Sequence, residues 1–117
     1  MSLRVLLVDD HPSFRAIAVR LLRSAGYEVV GEAHDGRSGL VAAAELRPDV
    51  VLLDIRLPDM DGFEVTERLR NGDHAPDVVL ISSREAEDYG QRVAESTARG
   101  FIAKAELSAE TLAALLN

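Results

Sequence analysis

Two acidic positions in the sequence directly follow short apolar runs. Asp54 comes after Val50–Leu53, and the pair Asp9 and Asp10 comes after Val5–Val8. If both runs are parallel strands of one sheet, their carboxylates meet at the same edge of that sheet. Carboxylates that lie close together repel each other and resist ionising together. Such a pocket is typical of a site that binds a cation, accepts a phosphoryl group, or does both.

Three further features are predicted at the same edge. Ser82 ends the fourth apolar run in the chain, and Lys104 follows the fifth. The turn Pro58–Gly62 comes shortly after Asp54. The predicted pocket therefore contains three carboxylates, one hydroxyl and one ammonium group.

The elements that position these residues are short apolar runs alternating with amphipathic stretches. Runs that are nearly continuous in Val, Leu and Ile are typical of parallel strands covered on both faces. The helical stretches include one between Pro12 and Gly26, and one that Asp35 is expected to cap. Strands are predicted at Arg4–Val8, Glu28–Ala33, Val50–Leu53, Val78–Ser82 and Gly100–Ala103, and the later helices at about 37–46, 63–70, 86–98 and 108–116.

The first helix has the clearest apolar face in the sequence. Its apolar residues follow the i, i+3, i+4, i+7, i+8 spacing of a helix that packs on a core. The residues predicted to face the core are Phe14, Ile17, Ala18, Leu21 and Leu22.

The five-fold alternation of strand and helix predicts an α/β fold. We expect a doubly wound, five-stranded parallel sheet of order 2-1-3-4-5, the flavodoxin-like (βα)5 arrangement. Binding sites in such sheets lie outside the carboxyl ends of the strands, where the strand order reverses. That point lies between strands one and three, which end in Asp10 and Asp54. The predicted location and the predicted chemistry therefore agree.

Composition limits the classes of protein to which the chain can belong. Its 117 residues suit one domain, 1–117, and 47% hydrophobic with 28% charged residues indicate a globular protein. The absence of cysteine excludes thiolate chemistry and is compatible with the expected cytoplasmic location. The net charge of -7 argues against a nucleic-acid interface within this chain. No apolar run approaches the ~20 residues of a membrane span.

In this order, the acidic residues and their partners resemble the receiver domain of bacterial two-component response regulators, with features of the LuxR/NarL-type subfamily. The resemblance covers essentially the whole chain. It implies a signalling domain that accepts a phosphoryl group from a sensor histidine kinase and is not a multiple-turnover enzyme. The resemblance rests on Asp9, Asp10, Asp54, Pro58, the turn Met60–Gly62, Ser82 and Lys104.

The resemblance also implies a metal and an acceptor. Asp54 would be the phosphoacceptor, and Mg²⁺ would be the cofactor. Its ligands would be Asp10, Asp54 and the backbone carbonyl of Arg56, with Asp9 acting mainly through water. Mg²⁺ prefers oxygen ligands and would offset the repulsion among the acids.

The resemblance also implies that three residues bind the phosphoryl group and that a fourth moves in response. Lys104 would pair with a phosphoryl oxygen, while the Ser82 hydroxyl and the Ser83 backbone N–H would donate hydrogen bonds to others. Phe101 would fill the space that Ser82 leaves as it moves inward. The surface of helix four, strand five and helix five would then change its pairing. The expected output is transcription, through a C-terminal domain absent from this chain, and homodimerisation is left open.

Several positions depart from the family pattern or have a simpler reading. Arg56 and Arg84 flank the pocket, where side chains tend to set phosphorylation and dephosphorylation rates. Lys104 is followed by Ala105 where most members have Pro, so the isomer of that bond is left open; a cis bond there costs ~3 kcal/mol.

Asp9 and Asp10 are also expected to cap the first helix, because acids are favoured near helix N-termini. Asp59 and Asp61 are interpreted as loop and cap residues. His11 adjoins the acidic pair, and whether it influences the pocket is left open.

Three other functions compete with the phosphoacceptor. A haloacid-dehalogenase-type hydrolase also uses an aspartate and Mg²⁺, but its Asp-x-Asp motif is missing. An interaction module that is never phosphorylated would not need the acidic residues. A nucleotide-binding domain would need a glycine-rich loop after the first strand, and none is present.

Overall fold

The computed structural model describes residues 2–83 and 89–116 of the chain. Strands and helices alternate along it, and a one-turn 3-10 helix, Lys104–Glu106, follows the last strand. The other elements, in chain order, are β1 (Arg4–Val8), α1 (Pro12–Ser24), β2 (Glu28–Ala33), α2 (Gly36–Leu46), β3 (Val50–Asp54), α3 (Gly62–Arg70), β4 (Asp77–Ser82), α4 (Gly90–Glu95), β5 (Gly100–Ala103) and α5 (Ala109–Leu116).

The strands form one parallel sheet of order β2-β1-β3-β4-β5, which confirms the predicted fold class. Each predicted strand lies within one residue of its observed bounds. β1 and β3 are neighbours, and Val8 pairs with Leu53 in their register. The residues that follow these two positions are therefore adjacent at the carboxyl edge of the sheet.

The core has one apolar cluster on each face of the sheet. Alternate residues of a strand belong to opposite clusters: Leu7 and Leu52 lie in one, Leu6 and Leu53 in the other. All four side chains are fully buried. Burial of each Leu side chain contributes roughly 2 kcal/mol to the stability of the fold. The apolar runs of β1 and β3 are continuous because both faces of these strands are packed.

α1 buries a narrower face than the sequence predicts. Ala18, Val19 and Leu22 are buried, but Ile17 is 64% exposed, so its predicted place in the core is wrong. A helix turns by about 100° per residue, which places Ile17 well away from the row formed by Ala18 and Leu22. The helical spacing predicts a core position for Ile17, but the direction in which α1 packs on the sheet leaves its side chain exposed.

α4 ends earlier than predicted. The helix spans Gly90–Glu95, so it ends before the predicted residue 98; the predicted start at 86 lies outside the described residues. The Ser96 hydroxyl donates a hydrogen bond to the carbonyl of Val93 (2.7 Å) and accepts one from the N–H of Ala98 (3.2 Å). A serine side chain that bonds nearby backbone groups offers the chain an alternative to the helix.

The predicted acidic caps of α1 and α2 have different outcomes. α2 begins at the predicted cap, because Asp35 accepts a hydrogen bond from the N–H of Ser38 at 2.8 Å. α1 begins after His11, and Asp9 accepts the N–H of His11 itself at 2.7 Å. The expectation that Asp9 caps the first turn of α1 is therefore wrong, because its carboxylate binds the residue before the helix.

Candidate functional site: an acidic pocket at the carboxyl edge of the sheet

Three carboxylates lie where β1 and β3 end. The Asp9 side chain is fully buried, Asp54 is 4% exposed, and Asp10 is 31% exposed. Their proximity follows from the pairing of β1 with β3, since Asp9 and Asp54 are each the residue after a paired position. The sequence therefore placed these three residues correctly at one edge.

Lys104 joins the carboxylates from the other side of β4. Its ammonium Nζ lies 2.6 Å from Oδ2 of Asp9 and donates a hydrogen bond to Oδ2 of Asp54 at 3.1 Å. The same Nζ lies 4.5 Å from the centre of the Phe14 ring, a cation–π distance. Sequence reasoning did not foresee this role of Phe14, because its apolar spacing indicates only a core residue.

The balance of charge in the pocket is negative. Burial raises the pKa of Asp54, and the Arg56 backbone N–H and the Lys104 ammonium oppose that rise. The N–H of Arg56 lies 3.1 Å from Oδ1 of Asp54. With every group ionised, one ammonium faces three carboxylates, so a further cation would stabilise the charged form.

The donor set can accommodate such a cation. Asp9, Asp10, His11 and Asp54 each offer one ligand atom, and these atoms lie within 4.8 Å of one another. Oδ1 of Asp10 is buried and accepts no well-aligned hydrogen bond from the described residues, although the ring of His11 lies beside it. Three carboxylates form the kind of oxygen-rich environment that Mg²⁺ and Ca²⁺ prefer. The residues therefore fit a hard divalent cation.

His11 belongs to the pocket, which the sequence left open. Its Nδ1 lies 3.1 Å from Oδ1 of Asp10 and 3.3 Å from Oδ1 of Asp9, and the ring is 63% exposed. His34 and His74 lie elsewhere: His34 is near Asp35, and His74 contacts a backbone carbonyl. His11 thus stands at the mouth of the pocket.

The predicted switch residues lie beside the acids to different degrees. Ser82 is 1% exposed and pairs in register with Ala103, the residue before Lys104. Ser83 is exposed at the start of the following segment. Phe101 is half-buried, with its ring centre 6.3 Å from that of Tyr89.

Of the two flanking arginines, only one is described. Arg56 has an exposed side chain, while its backbone contacts Asp54. Arg84 lies outside the described residues. The bond from Lys104 to Ala105 is trans, since residues 2–83 and 89–116 contain no cis peptide bond.

Asp59 and Asp61 confirm the interpretation of cap residues, but they cap different helices. Asp61 accepts the N–H of Glu64 at 2.8 Å and so caps α3, its own helix. Asp59 accepts the backbone N–H of Gly36 at 2.7 Å and of Arg37 at 2.9 Å, at the start of α2. A local pattern can indicate the first contact, whereas the second joins residues more than 20 positions apart and has no local signal.

The length and composition of the helices can be compared with those of a membrane-spanning helix. Among the described residues, none of the helices is long and apolar enough to cross a membrane.

Comparison with known proteins gives relatives of both the sequence and the fold. Residues 5–117 match the family model described as response regulator receiver domain. The transcription regulator BvgA of Bordetella pertussis is 37% identical over 103 residues, which cover 88% of this chain and 49% of that protein. The chain spans about half the length of the curated relatives it matches.

Two solved structures extend the comparison. The receiver domain of the response regulator NarL from Mycobacterium tuberculosis has a TM-score of 0.83 and 37% identity, and the match covers 99% of this chain and 98% of that one. The receiver domain of sensor histidine kinase PA1611 from Pseudomonas aeruginosa PAO1 has a TM-score of 0.84 and 26% identity, covering 98% and 95%. That protein has a magnesium ion coordinated in its active site cleft.

Proposed function

The chain belongs to the response regulator receiver domain family, and on that premise we propose that Asp54 is its phosphoacceptor. The observation that carries the proposal is the position of this carboxylate. Asp54 is buried at the end of β3, bonded to the Lys104 ammonium and adjacent to two further acids. Carboxylates with a raised pKa that lie in a cluster of charged groups occur preferentially at functional sites.

The proposed cofactor is Mg²⁺. Asp10, Asp54 and the backbone carbonyl of Arg56 would hold it, and Asp9 would act through a water molecule. Support comes from the cluster of oxygen donors and from the similar receiver of PA1611, which has magnesium in its cleft. When bound, the ion supplies positive charge that offsets repulsion between the acids and the incoming phosphoryl group.

The chain's own residues would perform the transfer. An Oδ atom of Asp54 forms a bond to phosphorus, and the bond from phosphorus to the phosphohistidine nitrogen of the kinase breaks. Lys104 favours the ionised form of Asp54 and opposes the effect of burial, because the ammonium hydrogen-bonds the carboxylate. After transfer, the same ammonium can bind a phosphoryl oxygen in place of Asp54.

Recognition of the phosphorylated form would use the end of β4 and the end of β5. Ser82 and the Ser83 backbone N–H would donate hydrogen bonds to the new oxygens. Phe101 would shift towards the space near Ser82 and alter the surface of α4, β5 and α5. Arg56 and Arg84 would set the rates of phosphorylation and hydrolysis from the rim of the pocket.

The partners follow from the family and from the length of the relatives. Receiver domains interact with histidine kinases, and we propose such a kinase as the phosphodonor. We further propose that residues 1–117 form the receiver domain of a longer cytoplasmic regulator. Its output would be transcription through a C-terminal domain, as the name of BvgA describes for that protein. Homodimerisation would be one way to couple the two domains.

The decisive test is incubation with Mg²⁺ and acetyl phosphate, followed by intact mass. We expect an adduct of about 80 Da, one phosphoryl group, on the wild-type chain and none on Asp54→Asn. Beryllofluoride, added in the same buffer, should change the conformation of the wild-type protein. An adduct on both proteins would place the acceptor elsewhere. Silence of the wild type towards both reagents would favour an interaction module that is never phosphorylated.

The family match and a separate assay bear on the other two alternatives. The family match covers nearly the whole chain and does not favour a dehalogenase-type hydrolase or a nucleotide-binding domain. Sustained turnover of p-nitrophenyl phosphate by the wild type would nevertheless contradict a signalling role.

A further inference from the structure

The segment from Ile55 to Asp61, here named the acceptor loop, connects Asp54 to α3. Its two ends are closed on each other: the N–H of Gly62 donates to the carbonyl of Ile55 at 2.7 Å, and Arg56 pairs with Asp61 in an antiparallel bridge. A Cβ atom at Gly62 would lie 2.7 Å from the backbone oxygen of Asp54. The base of the loop is therefore tightly packed beside the acceptor.

The tip of the acceptor loop is attached to a different element. Asp59 accepts hydrogen bonds from the first two N–H groups of α2, those of Gly36 and Arg37. Initial helical N–H groups have no partner within their own helix, and a negative charge there is favoured by the helix dipole. These two bonds lower the pKa of Asp59, so the carboxylate remains ionised at neutral pH.

An apolar contact reinforces this attachment. A Cβ atom at Gly36 would overlap Cγ of Met60 and lie 2.8 Å from its Sδ, so the Met60 side chain occupies the space that glycine leaves. Further along α2, a Cβ atom at Gly39 would lie 3.0 Å from Cγ1 of Val8. α2 therefore rests closely on the strand that leads into Asp9.

These contacts form a short path between the two halves of the acidic pocket. The acceptor loop carries Arg56, whose backbone N–H contacts Asp54. Asp59 binds the loop to α2, and α2 packs on β1, the strand that precedes the two other acids. The N-terminus of α2 is thus a second attachment of the loop relative to those acids, in addition to the closed base of the loop beside Asp54.

We propose that Asp59 is a positioning residue for the phosphoacceptor site. It holds the acceptor loop, and with it the backbone of Arg56, at a set distance from Asp9 and Asp10. The inference rests on the proposed function, because it assumes that these groups bind the metal together. Its predicted consequence is that loss of the Asp59 bonds weakens metal binding more than it weakens the fold.

The chain offers a matched control in Asp35. Its Oδ1 accepts the N–H of Ser38 at 2.8 Å and the Ser38 hydroxyl at 2.6 Å, so it caps the same helix. Asp35 directly precedes α2 and is no part of the acceptor loop. Asp35→Ala and Asp59→Ala each remove an acidic cap from one helix terminus, but only the second releases the loop.

The experiment compares the wild type, Asp59→Ala, Asp35→Ala and Asp54→Asn. Free Mn²⁺ is measured by electron paramagnetic resonance, Mg²⁺ is added as competitor, and no phosphodonor is present. We expect Asp59→Ala to weaken the affinity for both ions about tenfold, the lower end of what changes around metal ligands cost. Asp35→Ala should stay within about twofold of wild type, with similar urea midpoints for the two cap variants.

A second readout separates positioning from loss of activity. Phosphorylation by acetyl phosphate is followed over a range of Mg²⁺ concentrations. For Asp59→Ala, the concentration that gives half the maximal rate should rise about tenfold, while the maximal rate stays near that of wild type. Asp59→Asn, which keeps one acceptor oxygen, should lie between Ala and wild type and guards against a poorly folded alanine variant.

The outcomes are distinct. Equal loss of affinity in the two cap variants, or no loss in Asp59→Ala, would overturn the positioning role and leave Asp59 as an ordinary cap. A wild type that neither binds Mn²⁺ nor forms the adduct would instead contradict the proposed function.

Discussion

Asp54 and Asp59 stand five positions apart in the sequence and occupy opposite electrostatic environments. Asp54 is buried, and that burial raises its pKa despite the bonds from Arg56 and Lys104. Asp59 is exposed, and two backbone N–H groups of α2 lower its pKa. The charge of the first residue opposes folding, whereas the charge of the second supports it. An aspartate is thus buried in the acidic pocket just before the loop, and a second aspartate at the tip of the loop caps a helix.

The comparison explains how the fold tolerates a destabilising charge. The proposed role of Asp54 as a nucleophile requires its anionic form, and burial makes that anion costly. The Lys104 ammonium compensates for part of that cost inside the pocket. The capping contact of Asp59 restrains the loop from outside the pocket. An ionised carboxylate costs little there, because water and salt screen its charge.

The largest expected effect comes from Lys104→Met in the presence of EDTA. The substitution leaves Asp9 and Asp54 buried without their cation, and removal of one partner of a buried pair costs about 3 kcal/mol. Urea unfolding at pH 7 measures this loss, and Mg²⁺ should restore part of it by replacing the missing positive charge.

The control for that substitution is Arg92→Met, which breaks the exposed ion pair with Asp61. Such surface pairs contribute about 0.5 kcal/mol. An equally small loss of stability for Lys104→Met would show that the buried carboxylates do not need the ammonium. The proposed contrast between the environments of Asp54 and Asp59 would then be wrong.

A smaller loss is expected from Gly62→Ala at the base of the acceptor loop. The added methyl group would lie 2.7 Å from the backbone oxygen of Asp54 and 2.8 Å from Cα of Ile55. Backbone cannot move aside as a side chain can, so we expect a loss of about 2 kcal/mol in the free energy of unfolding. Thermal and urea unfolding both report it.

Gly90→Ala is the matched control, because a Cβ atom there meets nothing within 4 Å. It should leave stability unchanged or slightly raised, since alanine favours a helix more than glycine does. A similar loss for both variants would mean that close packing beside Asp54 is not the cause.

Asp54→Asn should move stability in the opposite direction. Removal of a buried charge with a raised pKa is expected to increase the free energy of unfolding by about 1 kcal/mol at pH 7 without metal. Urea unfolding in EDTA measures the gain, and Asp59→Asn, measured beside it, should show a loss. A loss for both variants would contradict the proposed opposition of the two charges.

The smallest effect is a difference in pH dependence. The pKa of Asp59 in the folded state lies below its ordinary 3.8, so its contribution is present above that pH and disappears as the pH falls through the folded value. Its size is about 0.5 kcal/mol, as for other exposed charges at helix N-termini. The pKa of Asp54 lies above 3.8, so protonation relieves a cost as the pH falls.

Unfolding curves between pH 7 and pH 3 test both signs. Relative to wild type, Asp54→Asn should lose its stability advantage as the pH is lowered. The deficit of Asp59→Asn should be constant from pH 7 to about pH 5 and shrink below pH 4. Parallel curves for all three proteins would contradict the pKa shifts of both residues.

Much of the molecule follows from local features of the sequence. Short apolar runs specify the five strands. The residues that follow these runs specify the acidic edge, because side chains at the carboxyl ends of neighbouring parallel strands lie close together. Asp35 and Asp61 can be predicted as caps from their positions, because each accepts the backbone N–H of the residue three positions later. The prediction for Ile17 is wrong because spacing gives no information on which part of an apolar face finds a partner. The predicted end of α4 is wrong because the Ser96 side chain bonds the backbone there.

The sequence alone determined the charged residues that strand ends bring to the pocket: Asp9, Asp10, Asp54 and Lys104 are all where the strand ends predict them. Tertiary structure alone decided how they act on one another. The raised pKa of Asp54 comes from burial beneath packed strands, and the place of His11 and Phe14 depends on how α1 meets the sheet. The bond from Asp59 to α2 joins distant segments, and no periodicity along a chain can encode a contact that arises only when two elements pack.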